Sequence, residues 1–465
     1  MIRHCIFVPV LAGIAIAAAG CGRDIPQERH SYVREATAVE IAALRERQDP
    51  LNRSQRQRLE QGEQTEIRRA LRFAELVSSS DTAFAGVGFV PGGEMGYAIA
   101  RDGAGGLFPS TQATLPLEAI ATRLDRVIAA GPRGHTLVGV TNAGTLMAWN
   151  TENTSQQVVL RPQQSTFSQI RTFDVQALSG THRIATAVEG GRLEIWDLRS
   201  GDRVDMTRLT DEQPRLIARG SRPGQVIFGT NTGEVRVWRG GSGFGLLFAT
   251  NGPILDLEID PTGRFVLAAA KDGTVHLRRC CTSGAQQVAA FPFAAREVLF
   301  SPDGSQALAL PARGAPLLID TATGEALRLA VATRLRGHDP QFLGAHGGFA
   351  MRLGTNGLGI WTLPDRLAPA QFLPRSAPGH GVVAHAISVK HDLVILGTGS
   401  NRVEYWSLSR RVYLSDAVHS DAGISEIHVD PSGKRVMVAF ADRRVIAFDI
   451  DPAQSSPIRI QSNAR

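Results

Sequence analysis

The sequence predicts an all-β fold: a single closed ring of eight or nine four-stranded units, preceded by a short α-helical N-terminal segment. Three observations carry that expectation. The five tryptophans, Trp149, Trp196, Trp238, Trp361 and Trp406, each end a short apolar run, and they fall 47, 42, 123 and 45 residues apart. The long interval is three times 41, so one structural unit is being repeated. A tight-turn sequence stands just before each of these positions, and a second turn stands earlier in each repeat.

The chain begins with Arg3 as a positive n-region, Cys5 to Ala19 as an apolar h-region and Ala18-Ala19-Gly20 as the small residues of a cleavage site. The apolar stretch is too short and alanine-rich for a comfortable membrane span. Ala-Ala-Gly-Cys at 18–21 resembles the lipobox of bacterial lipoproteins, with Ala18 where leucine is more usual. That resemblance implies a signal peptide over residues 1–20, acylation of Cys21 and a membrane-held mature protein. Gly22 after the cysteine implies the outer membrane, facing the periplasm.

Residues 21–80 read as the lipidated N-terminus and a helical stalk. Val33, Ala36, Val39 and Ala43 have helical spacing, and Thr37 with Glu40 offers a capping box. Asp49-Pro50 ends this helix and can cap another. Ile67, Ala70, Leu71, Ala74 and Val77 then line one face of a further helix. The stripe suits a spacer packed on the first repeat, or a partner-binding arm.

The repeats occupy residues 81–465. Aligned on the tryptophans, Phe108, Arg278, Ile319 and Phe448 fill the same place, giving nine markers 40 to 47 residues apart. Each follows a turn such as TNAGT, VEGGR, TNTGE or KDGTV, whose Asn-Gly-type pairs supply the positive φ that tight hairpins require. Turns such as IDPTG, FSPDG and VDPSG separate the two preceding strands, and a fourth strand follows the marker. Four strands in about forty residues make the blade of a β-propeller, and such small sheets bury their faces by packing radially. The glycine-rich AGGLF of the first copy is the weakest blade, which leaves the count at eight or nine.

FSPDGSQALAL, VDPSGKRVMVAF and IDPTGRFVLAAAKDGTV resemble the consensus of WD40 repeats, Trp196-Asp197 is the WD dipeptide, and Gly337-His338 and Gly379-His380 match its Gly-His. The resemblance implies a propeller that binds proteins. Most copies lack Gly-His and the fifth has Arg278 for the aromatic, so blade packing falls to apolar burial.

Composition excludes some functions. The net charge of +6 is small for 465 residues, and its arginines form no run, so nucleic acid is not an expected partner. His338, His346, His380, His385 and His391 form no HExxH-type pair and read as turn and strand-packing residues. Gly-x-Ser-x-Gly is absent, and the glycine-rich spots lie between strands rather than before a helix. No catalytic residue, metal or cofactor is expected. Cys280-Cys281, the pair left once Cys5 and Cys21 are assigned, could close a vicinal disulfide, remain as thiols or hold an adventitious metal. Eight-bladed quinoprotein dehydrogenases carry such a pair, but their tryptophan-docking repeats are missing here.

Two readings result. The first is a lipid-anchored, non-enzymatic scaffold in the bacterial envelope, serving outer-membrane assembly or maintenance. It would bind another envelope protein through the hairpin turns, which carry Arg101, Arg192, Lys271, Arg313, Arg402, Arg443 and Arg444 among Asp102, Glu189, Glu234, Asp272 and Asp442. The second is a quinoprotein-like or lactonase-like enzyme using the central channel.

Overall fold

A computed structural model describes residues 33–35 and, apart from short loop segments, residues 84–449. These form a nine-bladed β-propeller. Blades 1 to 8 are four-stranded antiparallel sheets in sequential strand order, and blade 9 has three strands among the described residues. The first strands run Phe84–Phe89, Leu124–Ala130, Thr172–Ala177, Pro214–Ile217, Ile254–Ile259, Ala295–Phe300, His338–Phe342, Val382–Ser388 and Ile424–Val429. The weak first copy is therefore a blade, with Gly105–Pro109 as its third strand.

The core is divided as the sequence pattern requires. Nine apolar clusters each lie between two neighbouring blades, so no blade buries itself alone. The cluster of Val87, Ala98, Met437, Ala439 and Val445 joins blade 9 to blade 1 and closes the ring. First strands of most neighbouring blades lie against one another, which makes them the inner wall. Each first strand except the distorted one of blade 7 carries a one-residue register shift near its start, as between Ile254 and Asp256.

The marker tryptophans pack against the preceding blade. Trp149 of blade 2 sits with Tyr97, Ile99 and Leu107 of blade 1, and Trp361 of blade 7 with Leu308 and Leu310 of blade 6. Room for the Trp149 ring comes from Gly139, where an added Cβ would come within 2.6 Å of the indole. The Trp361 indole stacks on Phe349 with centroids 4.6 Å apart. The Trp406 indole N–H donates to Glu404 on the same strand at 3.1 Å. At blade 5, where the marker is Arg278, its guanidinium lies over Phe248 at 5.0 Å, a cation in place of an aromatic.

The turns between first and second strands use one device. In IDPTG the Asp260 carboxylate accepts the backbone N–H groups of Thr262 (3.0 Å) and Phe265 (2.5 Å). Asp430 accepts from Ser432 and Arg435 in the same way, and the Ser301 hydroxyl accepts from Gln306. A short polar side chain thus meets turn donors that a buried strand end would otherwise leave unpaired.

One expected element differs. Val33–Glu35, placed by spacing at the start of a helix, is a strand pairing in parallel with the outer strand of blade 6, Val33 opposite Ala326 and Glu35 opposite Arg328. An outer blade strand presents a row of unpaired backbone groups, and that ladder outweighs the weak helical spacing of an alanine-rich stripe. The remainder of the expected stalk and Cys21 lie outside the described residues.

Candidate functional site

Because successive strands are antiparallel, every turn between second and third strands falls at one end of the ring. That gathers Arg101, Arg192, Lys271, Arg313, Arg402 and Arg444 on one rim, while Arg443 lies outside the described residues. Lys271 and Arg313 are exposed. Arg192 Nε donates to the Glu189 carbonyl at 3.2 Å, and Arg444 Nε to Asp442 at 2.6 Å.

A second set of loops, linking each blade to the next, shares this rim and ties the turns together. Gln213, between blades 3 and 4, accepts from Gly191 N–H at 3.1 Å and donates to the Val188 carbonyl at 2.6 Å. Its own N–H donates to Asn231 in the next turn at 2.8 Å. Asp272 accepts from Asn251 N–H at 2.9 Å. Burial works to raise the Asp272 pKa, but hydrogen bonds from the Thr274 hydroxyl and the Asn251 and Thr274 N–H groups outweigh it and hold the carboxyl below its ordinary value. Such cross-ties hold the rim loops in one arrangement, and a surface ordered in advance has a lower cost of docking.

At blade 4 three charged side chains meet on the rim. Arg236 makes a two-pronged contact to Glu212, both distances 3.0 Å, and reaches Glu234 at 2.5 Å. Burial opposes ionisation of both carboxyls. Hydrogen bonds from Arg236 hold Glu212 below its ordinary pKa, whereas burial and the nearby Glu212 keep Glu234 above its own. Arg236 also lies over the Phe244 ring at 5.3 Å. Glu234 is legible as a rim acid from its turn; Arg236 and Glu212 are not, because one is mid-strand and the other in an inter-blade link.

The inner wall holds carboxylates that the sequence does not single out. Asp174 of blade 3 accepts from Ile217 N–H in blade 4 at 2.8 Å, and Asp256 of blade 5 from Val298 N–H in blade 6 at 2.8 Å. Glu258 accepts from Phe300 N–H at 2.7 Å. These acids hold one blade to the next and are spent on structure. Cys280 is disulfide-bonded and packs at the edge of the core between blades 4 and 5; Cys281, its expected partner, lies outside the described residues.

No protein-family profile and no curated protein matches the sequence. Among solved structures the chain is similar to the computationally designed Ika8 protein, at 17% identity and a TM-score of 0.50, covering 72% of this chain and 98% of that one. It is also similar to the C-terminal WD40 domain of Sif2 (13% identity, TM-score 0.45, 83% and 98% covered). A chain of a mitotic checkpoint complex matches at 12% identity and a TM-score of 0.42, with 74% and 96% covered. At these identities the likeness concerns the fold alone.

Proposed function

We propose that this chain is a lipid-anchored, non-enzymatic WD40-like propeller that scaffolds protein contacts in the bacterial cell envelope, in the assembly or maintenance of the outer membrane. The observation that carries the reading is the rim: charges of both signs, gathered at one end of the ring and cross-tied by Gln213 and Asp272. Mixed charge on a pre-organised surface suits another folded protein, since complementary patches fix register and suppress wrong partners. The lipid on Cys21 would hold the ring near the membrane, with the N-terminal segment as tether.

Crosslinking in the native envelope tests the scaffold. Recovery of one stoichiometric partner is expected, with less of it when Lys271 and Arg313 are changed to glutamate. A protein purified with bound quinone or metal and no partner would overturn the proposal. Cys21→Ser should release the protein from membranes, and continued membrane association would remove the lipoprotein part of the reading.

A further inference from the structure

The two ends of the ring carry charge differently. The end opposite the rim is built from the turns that join first to second and third to fourth strands. Its acids are turned into the fold. Asp260 and Asp430 are buried in their own turns, Asp303 accepts the Ser305 N–H at 3.0 Å, and Asp320 accepts those of Ala322 and Thr323, each at 3.0 Å. Asp392 accepts the Ser409 N–H at 2.7 Å, and Asp197 that of Arg199 at 2.9 Å. A carboxylate that shapes a turn must lie against the backbone, so it is withdrawn from the surface of the loop it holds.

The cations at this end are not withdrawn. Arg199, Arg264, Arg279, Lys390 and Arg410 are exposed, and among the described residues none of them is held in an ion pair. The exposed acids in these turns, among the described residues, are Asp202 and Glu325. The excess is therefore positive here, whereas on the rim Glu189, Asp272 and Asp442 are exposed beside the cations. Val389, next to Lys390, adds an apolar side chain that is 51% exposed. A basic surface with an apolar tip suits a negatively charged bilayer, to which each nearby cation contributes about 1 kcal/mol.

The path of the chain points the same way. First strands run away from the rim and each turn reverses direction, so fourth strands run toward it. Val33–Glu35 lies parallel to the fourth strand of blade 6, Ala326–Arg328, which puts Val33 at the basic end and Glu35 nearer the rim. The chain that leads back to Cys21 thus joins the ring from the basic end. Even fully extended, the stretch from Cys21 to Val33 reaches only about 40 Å. A lipid on Cys21 would present this end to the bilayer at an effective concentration that lets weak contacts hold.

We infer that the end of the ring opposite the charged rim is a membrane-facing surface, on which Arg199, Arg264, Arg279, Lys390 and Arg410 meet anionic phospholipid headgroups. The tether rests on the lipid-anchor reading; the charge does not.

Vesicle flotation of the full-length chain carrying Cys21→Ser tests the surface without the lipid. That protein should float with vesicles containing phosphatidylglycerol at low salt, stay behind with phosphatidylcholine alone, and be released by high salt. Adding Arg199→Glu, Lys390→Glu and Arg410→Glu together should weaken flotation at least ~10-fold, with the urea midpoint kept because all three side chains are exposed. Lys271→Glu with Arg313→Glu, on the rim, should leave flotation unchanged. No phosphatidylglycerol-dependent flotation, flotation that survives the triple change, or loss caused by the rim pair instead would each overturn the inference. Flotation of Cys21→Ser together with release of wild type by high salt would support the basic surface while removing the lipid anchor.

Discussion

The Asp174 carboxylate of blade 3 reaches across the inner wall to the backbone N–H of Ile217 in blade 4, at 2.8 Å. Its other oxygen meets Arg126 of blade 2, also at 2.8 Å, so one side chain links three blades. Asp174→Ala should strand the Ile217 N–H, leave the half-exposed Arg126 to water, and cost about 1–3 kcal/mol. Arg126→Met, which removes the half-exposed ion pair and keeps the bond to Ile217, should cost less. Urea unfolding of the two variants checks the order, and equal midpoints would show that the bond to Ile217 adds nothing.

Gly139 is required by bulk rather than by backbone angle. A methyl group there would press on the Trp149 ring and on Leu124. Gly139→Ala should destabilise by about 1–3 kcal/mol, the usual cost of overfilling a packed core. Gly240→Ala is a poor control, since its φ of 70° is strained for any side chain whatever the space. Gly245→Ala, which would meet only the Arg239 side chain at 3.8 Å, should be nearly silent.

His385 predicts a pH dependence with a definite sign. Its pKa is depressed in the folded protein, to about 4 from 6.5, so the unfolded chain takes up its proton first as pH falls. Stability should be lost between pH 6.5 and 4, by about 3 kcal/mol at the lower limit from this residue. Asp339 and Arg352 act on the ring directly, while Glu426, His428 and Lys390 line a cavity with it and remain in the His385→Leu variant. The difference in urea midpoint between wild type and His385→Leu across this range isolates the histidine, and parallel pH profiles would contradict the assignment.

Changing Arg236 to methionine should leave two carboxylates, Glu212 and Glu234, facing each other on the rim. Like charges so placed resist joint ionisation, so a carboxyl titration near blade 4 should move upward. Carbon-detected NMR of the Glu212 and Glu234 carboxyls would show it, and unchanged titrations would mean that Arg236 does not control the pair.

The repeat was readable because it is carried by residues few alternatives can replace. A tryptophan marker and an Asn-Gly or Asp-Gly turn each state a local geometry, and together they fix the third strand of a blade. The blade count stayed open at the first copy, because Gly105 and Gly106 have no side chain with which to announce a strand; nine follows from the packing of Val87 on Met437 and Ala439. The inner-wall carboxylates were hidden in ordinary strand alternation, where Asp174 looks like any solvent-facing acid. The cavity lined by the inner strands of blades 7, 8 and 9 is hidden for another reason: Pro340, His385 and Glu426 belong to three different blades, and only the stacking of successive blades brings them together. Val33–Glu35 misled because three residues say little about helix or strand when the pairing partner is nearly 300 residues away.

A partner bound at the charged rim leaves the opposite end of the ring uncovered by protein. A photo-crosslinking amino acid placed singly at Lys271, Arg313 or Lys390, in cells with the native envelope, distinguishes the two ends. Discrete adducts of the same size from Lys271 and Arg313, with none from Lys390 at the far end, are predicted. Adducts only from Lys390, or none from either rim position, would contradict docking at the rim.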